Sequence, residues 1–233
     1  NPNINNYVAQ TASDIMINGV GYIARAPQNL VYNPTQIVET SFVGVPNNGN
    51  ITTTITKSAF GANTLIGNPY PSAIEIDLFI TDPINSELVN GTIFLWTHNT
   101  AITNNNYTAN DYAKYNLTGG VGVPSATTQS PNGILPNGYI TSAQGFMVRP
   151  KVNGTVLFTN KQRTKDIPSN NQFYRESNQE KDRYWLRLAN SEGRYNELLI
   201  GYISGATNDF DEAYDGPINS LSPVKFYSIL GDE

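Results

Sequence analysis

Four acidic residues lie close together near the C-terminal end of the sequence, at Asp209, Asp211, Glu212 and Asp215, with Asn208 beside them. Carboxylate and amide oxygens are the ligands that calcium prefers, and calcium takes about six to eight of them. The spacing differs from that of an EF-hand loop. The sequence therefore predicts a calcium site at Asp209, Asp211 and Asp215, and calcium is the one cofactor it indicates. The alternative is a turn in which the carboxylates accept hydrogen bonds from backbone N–H groups.

A second group of residues could bind a sugar. Trp96, Tyr107, Tyr112 and Tyr115 are interleaved with polar residues such as Asp111. Glycan sites combine aromatic surfaces with a few hydrogen-bonding side chains. The sequence therefore predicts a glycan site formed by Trp96, Tyr107, Asp111, Tyr112 and Tyr115. The alternative is that the rings bury one side in the core and keep a polar tip in water.

Residues for catalysis are sparse. Glu75 and Asp77 lie two apart, which places them on one face of a strand, but they flank the apolar Ile76 and are expected to point to solvent. His98 is the only histidine, which excludes a multi-histidine metal centre, and we expect it to hydrogen-bond a neighbouring turn, with a ligand role as the alternative. No serine has partners in the sequence for a triad, and cysteine is absent. The sequence therefore predicts no catalytic site.

Composition limits the classes of partner. The net charge is −5 and the isoelectric point is near 4.9, which argues against nucleic acid because phosphate binding requires a basic patch. Charged residues make up only 14% of the chain, and a surface rich in Asn, Thr and Ser is typical of extracellular proteins. No apolar run reaches the roughly 18 residues that a membrane span needs. Asn1 does not open a signal peptide, so we expect a mature or excised segment.

The elements that position these residues are predicted to be strands. Tyr, Phe, Ile, Val and Thr recur in short runs bounded by Gly, Pro and Asn. The alternation at 183–189 predicts a strand with one buried face. The predicted strands are 14–26, 37–45, 50–56, 64–66, 74–79, 92–97, 139–149, 155–158, 184–189 and 197–203.

Three connections are also predicted. Asn153 and Gly154 stand between two apolar runs and predict a two-residue hairpin. A short helix capped by the Ser72 hydroxyl is the alternative to a strand at 74–79. Residues 100–137 lack periodicity and predict a long ordered surface loop, or a pair of such loops. These features predict an all-β fold with little helix, a β-sandwich that is jelly-roll-like, and a single domain over residues 1–233.

Eight segments in order resemble the β-rich modules near the C-terminus of large surface and secreted proteins of Bacteroidetes, especially flavobacteria, that the type IX secretion system exports. LIGNPYPSAI and SAQGFMV are the most specific of the matching motifs. The segments are GVGYIARAPQ (19–28), FVGVPNNGNIT (42–52), NTLIGNPYPSAI (63–74), NGTIFLWTHNT (90–100), NDYAKYNLTGG (110–120), GYITSAQGFMVRP (138–150), DRYWLRLAN (182–190) and GYISGATNDFDEAYDG (201–216).

The resemblance implies a fragment of a longer protein, on the surface of or outside a Gram-negative bacterium. It implies export by the type IX machinery through a C-terminal signal that is absent here. The leading hypothesis is a non-catalytic structural or adhesive module whose partners are surface glycans or other extracellular proteins. One alternative is a carbohydrate-binding module of a secreted polysaccharide-degrading protein. Another is a subunit of an extracellular assembly, in which an exposed sheet edge accepts a strand from a neighbour.

Overall fold

The structure is a computed structural model that describes residues 10–11, 13–24, 43–59, 62–97, 112–122, 135–164, 182–191, 195–217 and 225–229. The strands in these residues are β1 Ile51–Ile55, β2 Thr64–Gly67, β3 Ile74–Glu75, β4 Val89–Trp96, β5 Tyr112–Asn116, β6 Gly119–Val121, β7 Tyr139–Ile140, β8 Gly145–Pro150, β9 Gly154–Phe158, β10 Asp182–Ala189 and β11 Tyr195–Tyr202. The helices are α1 Ile76–Ile80 and α2 Asn85–Leu88, followed later by a 3-10 turn at Asn160–Gln162. Neither of the two described helices has the length and apolar character needed to cross a membrane.

One five-stranded antiparallel sheet is the largest element of the fold, with the strand order β2-β8-β4-β5-β6. Three antiparallel ribbons pair β1 with β9, β3 with β7, and β10 with β11. The predicted all-β class with little helix is therefore confirmed. Every sheet in the described residues other than this one has two strands. The jelly-roll connectivity and the single domain stay predictions.

The core lies between one face of the large sheet and a layer built from α1 and the β1–β9 ribbon. Phe79 of α1 contacts Phe146 of β8 edge-on, with ring centroids 5.5 Å apart, and Phe158 of β9 at 5.2 Å. All three rings are at most 2% exposed. Burying each such side chain contributes about 1.5–3 kcal/mol. The buried cluster also includes Ile55, Ile66, Ile74, Ile76, Ile93, Leu95, Ala113, Val148 and Val156.

The two outer strands of the large sheet contact other parts of the chain. Beside β2, the Gly67 N–H donates to the Gly19 carbonyl at 2.9 Å. Beside β6, the indole N–H of Trp185 donates to the Gly120 carbonyl at 3.1 Å. A strand added by a neighbour would need these backbone groups. The contacts therefore weigh against strand addition at the two edges of the large sheet.

The strands predicted at 50–56, 64–66, 155–158, 184–189 and 197–203 are confirmed within one or two residues. The buried face predicted from the alternation at 183–189 is wrong, because every residue of this strand is half-buried or exposed. The strand predicted at 92–97 belongs to β4, which begins earlier, and 139–149 is divided into β7 and β8 by a turn. Ala143 occupies this turn with φ of 59°, a conformation that ends an extended strand. Most of the strand predicted at 37–45 lies outside the described residues.

Three other predictions were wrong. Residues 13–24 form no strand and contribute only an isolated bridge between Val20 and Ile66. The predicted loop at 100–137 contains β5 and β6, because pairing with β4 overrides their weak local pattern. The predicted hairpin at Asn153 and Gly154 does not form, because β8 and β9 belong to different sheets. The Asn153 side chain instead accepts a hydrogen bond from the Lys57 N–H at 2.8 Å, beyond the end of β1.

The segment at 74–79 combines the two predicted alternatives. Two residues form β3 and α1 then begins at Ile76, with Glu75 as N-cap and no capping hydrogen bond from its side chain. Ser72 does not cap this helix. Its hydroxyl instead accepts a hydrogen bond from Arg163 Nε at 2.9 Å.

Candidate ligand-binding face

Strands β4 and β5 present two different faces because successive side chains alternate. The register pairs Trp96 with Tyr112 and Phe94 with Lys114, so these four side chains share one face. On β8, Val148 lies opposite Ile93 in the core, which places the next residue, Arg149, on the same side as Phe94. We call the face formed by Phe94, Trp96, Tyr112, Lys114 and Arg149 the outer face.

An aromatic pair lies at one end of the outer face. The rings of Trp96 and Tyr112 are 5.0 Å apart between centroids and meet at 70°. This edge-to-face arrangement is the one that ring quadrupoles favour. Both side chains are half-buried, so each leaves part of its surface open to solvent. The structure therefore brings together two of the predicted glycan-site residues.

Two cations lie next to this pair. The Arg149 guanidinium stands 5.7 Å from the centroid of the Phe94 ring, and its Nε donates to Asn63 Oδ1 at 3.3 Å. Lys114 Nζ donates to the Pro217 carbonyl at 3.3 Å. Neither cation forms an ion pair with a carboxylate of the described residues. The outer face therefore carries two positive charges with neutral hydrogen-bond partners.

Burial acts on both cations. It lowers the pKa of the Lys114 amine, and the positive charge of Arg149 lowers that pKa further. Burial also lowers the pKa of Arg149. Desolvation and a like charge both disfavour the protonated form of a base. A negative charge between these two groups would oppose both effects.

Tyr115 does not belong to the outer face, so its assignment to the glycan site was wrong. It pairs with Ile93 on the core side and is 5% exposed. Burial raises the pKa of its hydroxyl, and so does Asp77, whose carboxylate accepts a hydrogen bond from it. Tyr115 therefore contributes to the core and offers no surface to a sugar. Tyr107 and Asp111 lie outside the described residues.

Glu75 and Asp77 do not share a solvent-facing side of one strand as predicted. Glu75 ends β3 and is half-buried, whereas Asp77 lies in the first turn of α1 and contacts Tyr115. An acidic residue in a first turn is favoured by the helix dipole. Glu75 and Asp77 therefore both lie at the beginning of α1. His98 lies outside the described residues.

The acidic cluster forms a turn. Asp211 accepts a hydrogen bond from the Thr207 N–H, and Asp215 accepts one from the Asp211 N–H at 2.7 Å. Asp209 is exposed, and Glu212 forms an ion pair with Lys151 at 2.8 Å. In the described residues, no three acidic or histidine side chains are grouped as a metal site would require. The geometry thus matches the predicted alternative of a hydrogen-bonded turn and gives no support to calcium at Asp209, Asp211 and Asp215.

Residues 211–217, which we call the strap, lie against the ends of β4 and β5. The Asn116 side-chain amide donates to the Tyr214 carbonyl at 2.6 Å, and the Leu117 N–H donates to the Ala213 carbonyl at 3.1 Å. Gly91 permits this approach, since a Cβ on it would lie 2.5 Å from Ala213 Cα. The acidic turn therefore shapes the strap, and the strap carries the carbonyl that Lys114 contacts.

The described residues define an all-β module with an aromatic and cationic face on its largest sheet. The chain belongs to the family described as "Domain of unknown function (DUF8693)", whose model matches residues 1–233. Searches of curated proteins and of solved structures return no match.

Sequence reasoning missed Phe94, Lys114 and Arg149. Alternation along 112–116 places Lys114 beside Tyr112, and this signal was available in the sequence. It was overlooked because the segment was assigned to a loop. Arg149 lies within the motif segment GYITSAQGFMVRP, but its position over Phe94 depends on the pairing of β8 with β4.

Proposed function

We propose that this chain is a non-catalytic adhesive module of a bacterial cell-surface or secreted protein and that its outer face binds an extracellular glycan. The Trp96–Tyr112 pair is the observation that carries this proposal. Two half-buried rings with centroids 5.0 Å apart offer apolar surface in one place. Sugar rings present apolar C–H groups to such surfaces, and neighbouring polar groups fix their orientation. Lys114 and Arg149 supply polar groups on the same sheet, and Asn63, which precedes β2, accepts a hydrogen bond from Arg149.

The surface location and export by the type IX system rest on the resemblance of the eight segments. The two most specific motifs of that resemblance meet in space, since β2 pairs with β8 from Gly67 opposite Gly145 onward. Asn68 joins them, because its backbone N–H donates to the Gln144 carbonyl at 3.0 Å. These motifs therefore build the scaffold that supports the outer face.

The test is binding to immobilised polysaccharides, neutral and acidic, by wild type and by Trp96→Ala and Tyr112→Ala. Each substitution should abolish or strongly weaken binding, because each removes half of the aromatic surface. Tyr202→Ala is the matched control, since Tyr202 is 71% exposed on β11 and belongs to a different sheet. Absence of binding to every polysaccharide, or binding that survives both aromatic substitutions, would refute the proposal.

A second candidate function is that of an assembly subunit, and the β10–β11 ribbon favours it. Arg183 and Trp185 contact the β5–β6 turn, with Arg183 donating to the Thr118 carbonyl at 3.1 Å. The other face of the ribbon exposes Leu186 and Leu188 by 40% and 44%. Exposed apolar surface of this kind marks protein contacts when it is contiguous.

Light scattering after size exclusion, at several protein concentrations, tests the assembly candidate. The assembly candidate is supported if the molar mass of wild type rises with concentration and that of Leu186→Lys stays at the value of a monomer. A strict monomer at all concentrations would contradict it.

A further inference from the structure

We infer that the ligand of the outer face is an acidic polysaccharide, one that carries carboxylate or sulfate groups, and that Lys114 and Arg149 bind those groups. This inference rests on the proposed function and specifies its ligand. Its basis is the arrangement of charge around Phe94. Lys114 is the cross-strand partner of Phe94, and the Arg149 guanidinium lies above the same ring. One aromatic side chain therefore has a cation at each of two sides.

The chain contains more carboxylates than basic side chains, so counter-charges for these cations are present in the sequence. It contains 19 acidic and 14 basic residues. The basic residues Lys151 and Arg187 each form an ion pair, at 2.8 Å, with Glu212 and Glu197. Lys114 and Arg149, in contrast, have a carbonyl and an amide oxygen as their partners among the described residues. Within the part of the chain that the structure describes, the outer face thus carries two charges that no carboxylate pairs with, on a protein that is acidic overall.

Such an arrangement has a physical cost. Half-buried charges are normally paired, because burial removes part of their hydration. Burial lowers the pKa of Lys114, and the like charge of Arg149 lowers that pKa further. A carboxylate or sulfate bound between them restores the missing counter-charge. Unfavourable charge arrangements of this kind are concentrated at functional sites.

Both cations retain hydrogen-bond donors for such a group. An ammonium group has three N–H donors and a guanidinium has five. In the described residues Lys114 uses one donor on Pro217 and Arg149 uses one on Asn63. Guanidinium groups bind carboxylates and other oxyanions through two parallel hydrogen bonds. Each cation can therefore donate more than one hydrogen bond to an anionic group of a ligand.

The aromatic pair favours a polysaccharide over other anions. Trp96 and Tyr112 lie two residues along the strands from Phe94 and Lys114, a distance of about 7 Å at the rise of a β-strand. A ligand that spans both places needs an apolar surface next to a negative charge, as in a uronate or a sulfated sugar. A nucleic acid is disfavoured by the net charge of −5, because its binding depends on neutralising many phosphates.

The experiment uses dextran sulfate and neutral dextran as a matched pair, polygalacturonate as a carboxylated polymer, and polyglutamate as an acidic polypeptide. Binding is measured for wild type, Lys114→Gln, Arg149→Gln and the control Lys57→Gln. Lys57 is exposed and follows β1, on the opposite side of the core from the outer face. Every variant loses one positive charge, so a general charge effect would appear in all three.

We expect wild type to bind at least one of the two acidic polysaccharides more tightly than dextran and polyglutamate. Lys114→Gln and Arg149→Gln should each weaken that binding by about 10- to 100-fold, the effect of losing a hydrogen bond to a charged group. Added salt should weaken wild-type binding more than that of either variant. Lys57→Gln should bind like wild type. Unfolding by urea, measured in parallel, identifies a variant that fails to fold.

A second measurement does not depend on substitutions. An amine-reactive reagent acylates lysines in wild type, and mass spectrometry follows Lys114 and Lys57. Bound dextran sulfate or polygalacturonate should slow acylation of Lys114 and leave Lys57 unchanged, whereas equal rates with and without polymer would overturn the inference.

Three binding results would also overturn the inference. The first is equal affinity for dextran and dextran sulfate, together with no tighter binding of polygalacturonate than of dextran. The second is equal weakening of binding by all three substitutions. The third is tighter binding to polyglutamate than to the polysaccharides, which would indicate an acidic polypeptide as the ligand. If charge has no effect but binding of a neutral polysaccharide still requires Trp96, the inference fails while the proposed function stands.

Discussion

Asn85 is fully buried and its side chain substitutes for a neighbouring strand at the edge of β9. Its amide donates to the Leu157 carbonyl at 2.8 Å and to the Phe79 carbonyl at 3.0 Å. Its side-chain oxygen accepts a hydrogen bond from the Leu157 N–H at 2.7 Å. One side chain at 0% exposure therefore joins α1, α2 and the β1–β9 ribbon. We predict that Asn85→Ala strongly destabilises the fold.

The magnitude follows from the groups that lose a partner. The Leu157 carbonyl retains a hydrogen bond from Gln162 Nε2 at 3.2 Å, whereas the Leu157 N–H and the Phe79 carbonyl lose their contacts to Asn85. A buried polar group left without a partner costs about 1–3 kcal/mol. Two such groups and the small cavity left by the amide give a loss of about 3–5 kcal/mol. This is a large part of the roughly 5–15 kcal/mol by which domains are stable.

Urea unfolding followed by circular dichroism measures this loss. Asn18→Ala is the control, because Asn18 is exposed and, among the described residues, its side-chain amide contacts only the Asn47 side chain, at 3.2 Å. The control should change the free energy of unfolding by less than about 0.5 kcal/mol. A loss below about 1 kcal/mol for Asn85→Ala would refute the reasoning, since it would mean that the buried groups find other partners.

Asn85→Asp separates the hydrogen bonds from the cavity. The Asp side chain keeps the shape of Asn85 and still has an oxygen that accepts from the Leu157 N–H. Its second oxygen, however, replaces the amide nitrogen that donates to the Phe79 and Leu157 carbonyls. Burial should raise the pKa of this Asp in the folded state above its unfolded value of about 3.9. The variant should therefore be most stable below that value and lose stability as pH rises toward neutrality. Stability that is independent of pH over this range would contradict the assignment.

Three further predictions concern the core, one sheet edge and the β10–β11 ribbon. The pKa of Tyr115 is raised in the folded state, so wild type should lose stability as pH rises above the unfolded tyrosine pKa of about 10. Tyr115→Phe should lose less stability over this range. Thermal unfolding between about pH 8 and 11 measures the difference. Gly21→Ala should lower the free energy of unfolding by about 1–3 kcal/mol, because the new Cβ would lie 2.4 Å from the Leu65 side chain. The control Gly44→Ala should have little effect, because a Cβ there meets nothing within 4 Å. Equal effects of the two substitutions would contradict this prediction. Glu197→Gln should speed amide hydrogen exchange at Gly122, whose N–H donates to Glu197 at 3.2 Å, and unchanged exchange would argue against that contact.

Short-range patterns predicted the class of fold and several strands, and they failed where pairing is long-range. The alternation of β1 and β9 is local, and both strands were placed correctly. The Asn153 and Gly154 turn signal is equally local, but it carries no information on which strand β9 pairs with. β9 pairs with β1, about a hundred residues earlier, because this ribbon covers the core face of the large sheet. The sequence alone did not specify that choice.

The candidate site was half predictable for a related reason. Trp96 and Tyr112 were identified by residue type, and the structure places them in contact. Tyr115 was assigned with them because all three are aromatic and close in sequence. Once 112–116 is recognised as a strand, residues three apart must lie on opposite faces, which sends Tyr115 to the core. The same alternation would have drawn attention to Lys114.

The acidic and the basic residues of this chain differ in how their charges are used. Asp211 and Asp215 hold backbone N–H groups in the turn that shapes the strap, and Glu197 pairs with Arg187. These carboxylates therefore have partners that stabilise the fold, and their presence needs no ligand. Among the described residues, Lys114 and Arg149 have neutral oxygens as partners, on the face that also carries the aromatic pair. A charge that the described residues leave without a counter-charge is one that a ligand can pair with, which is why the outer face is the site to test first.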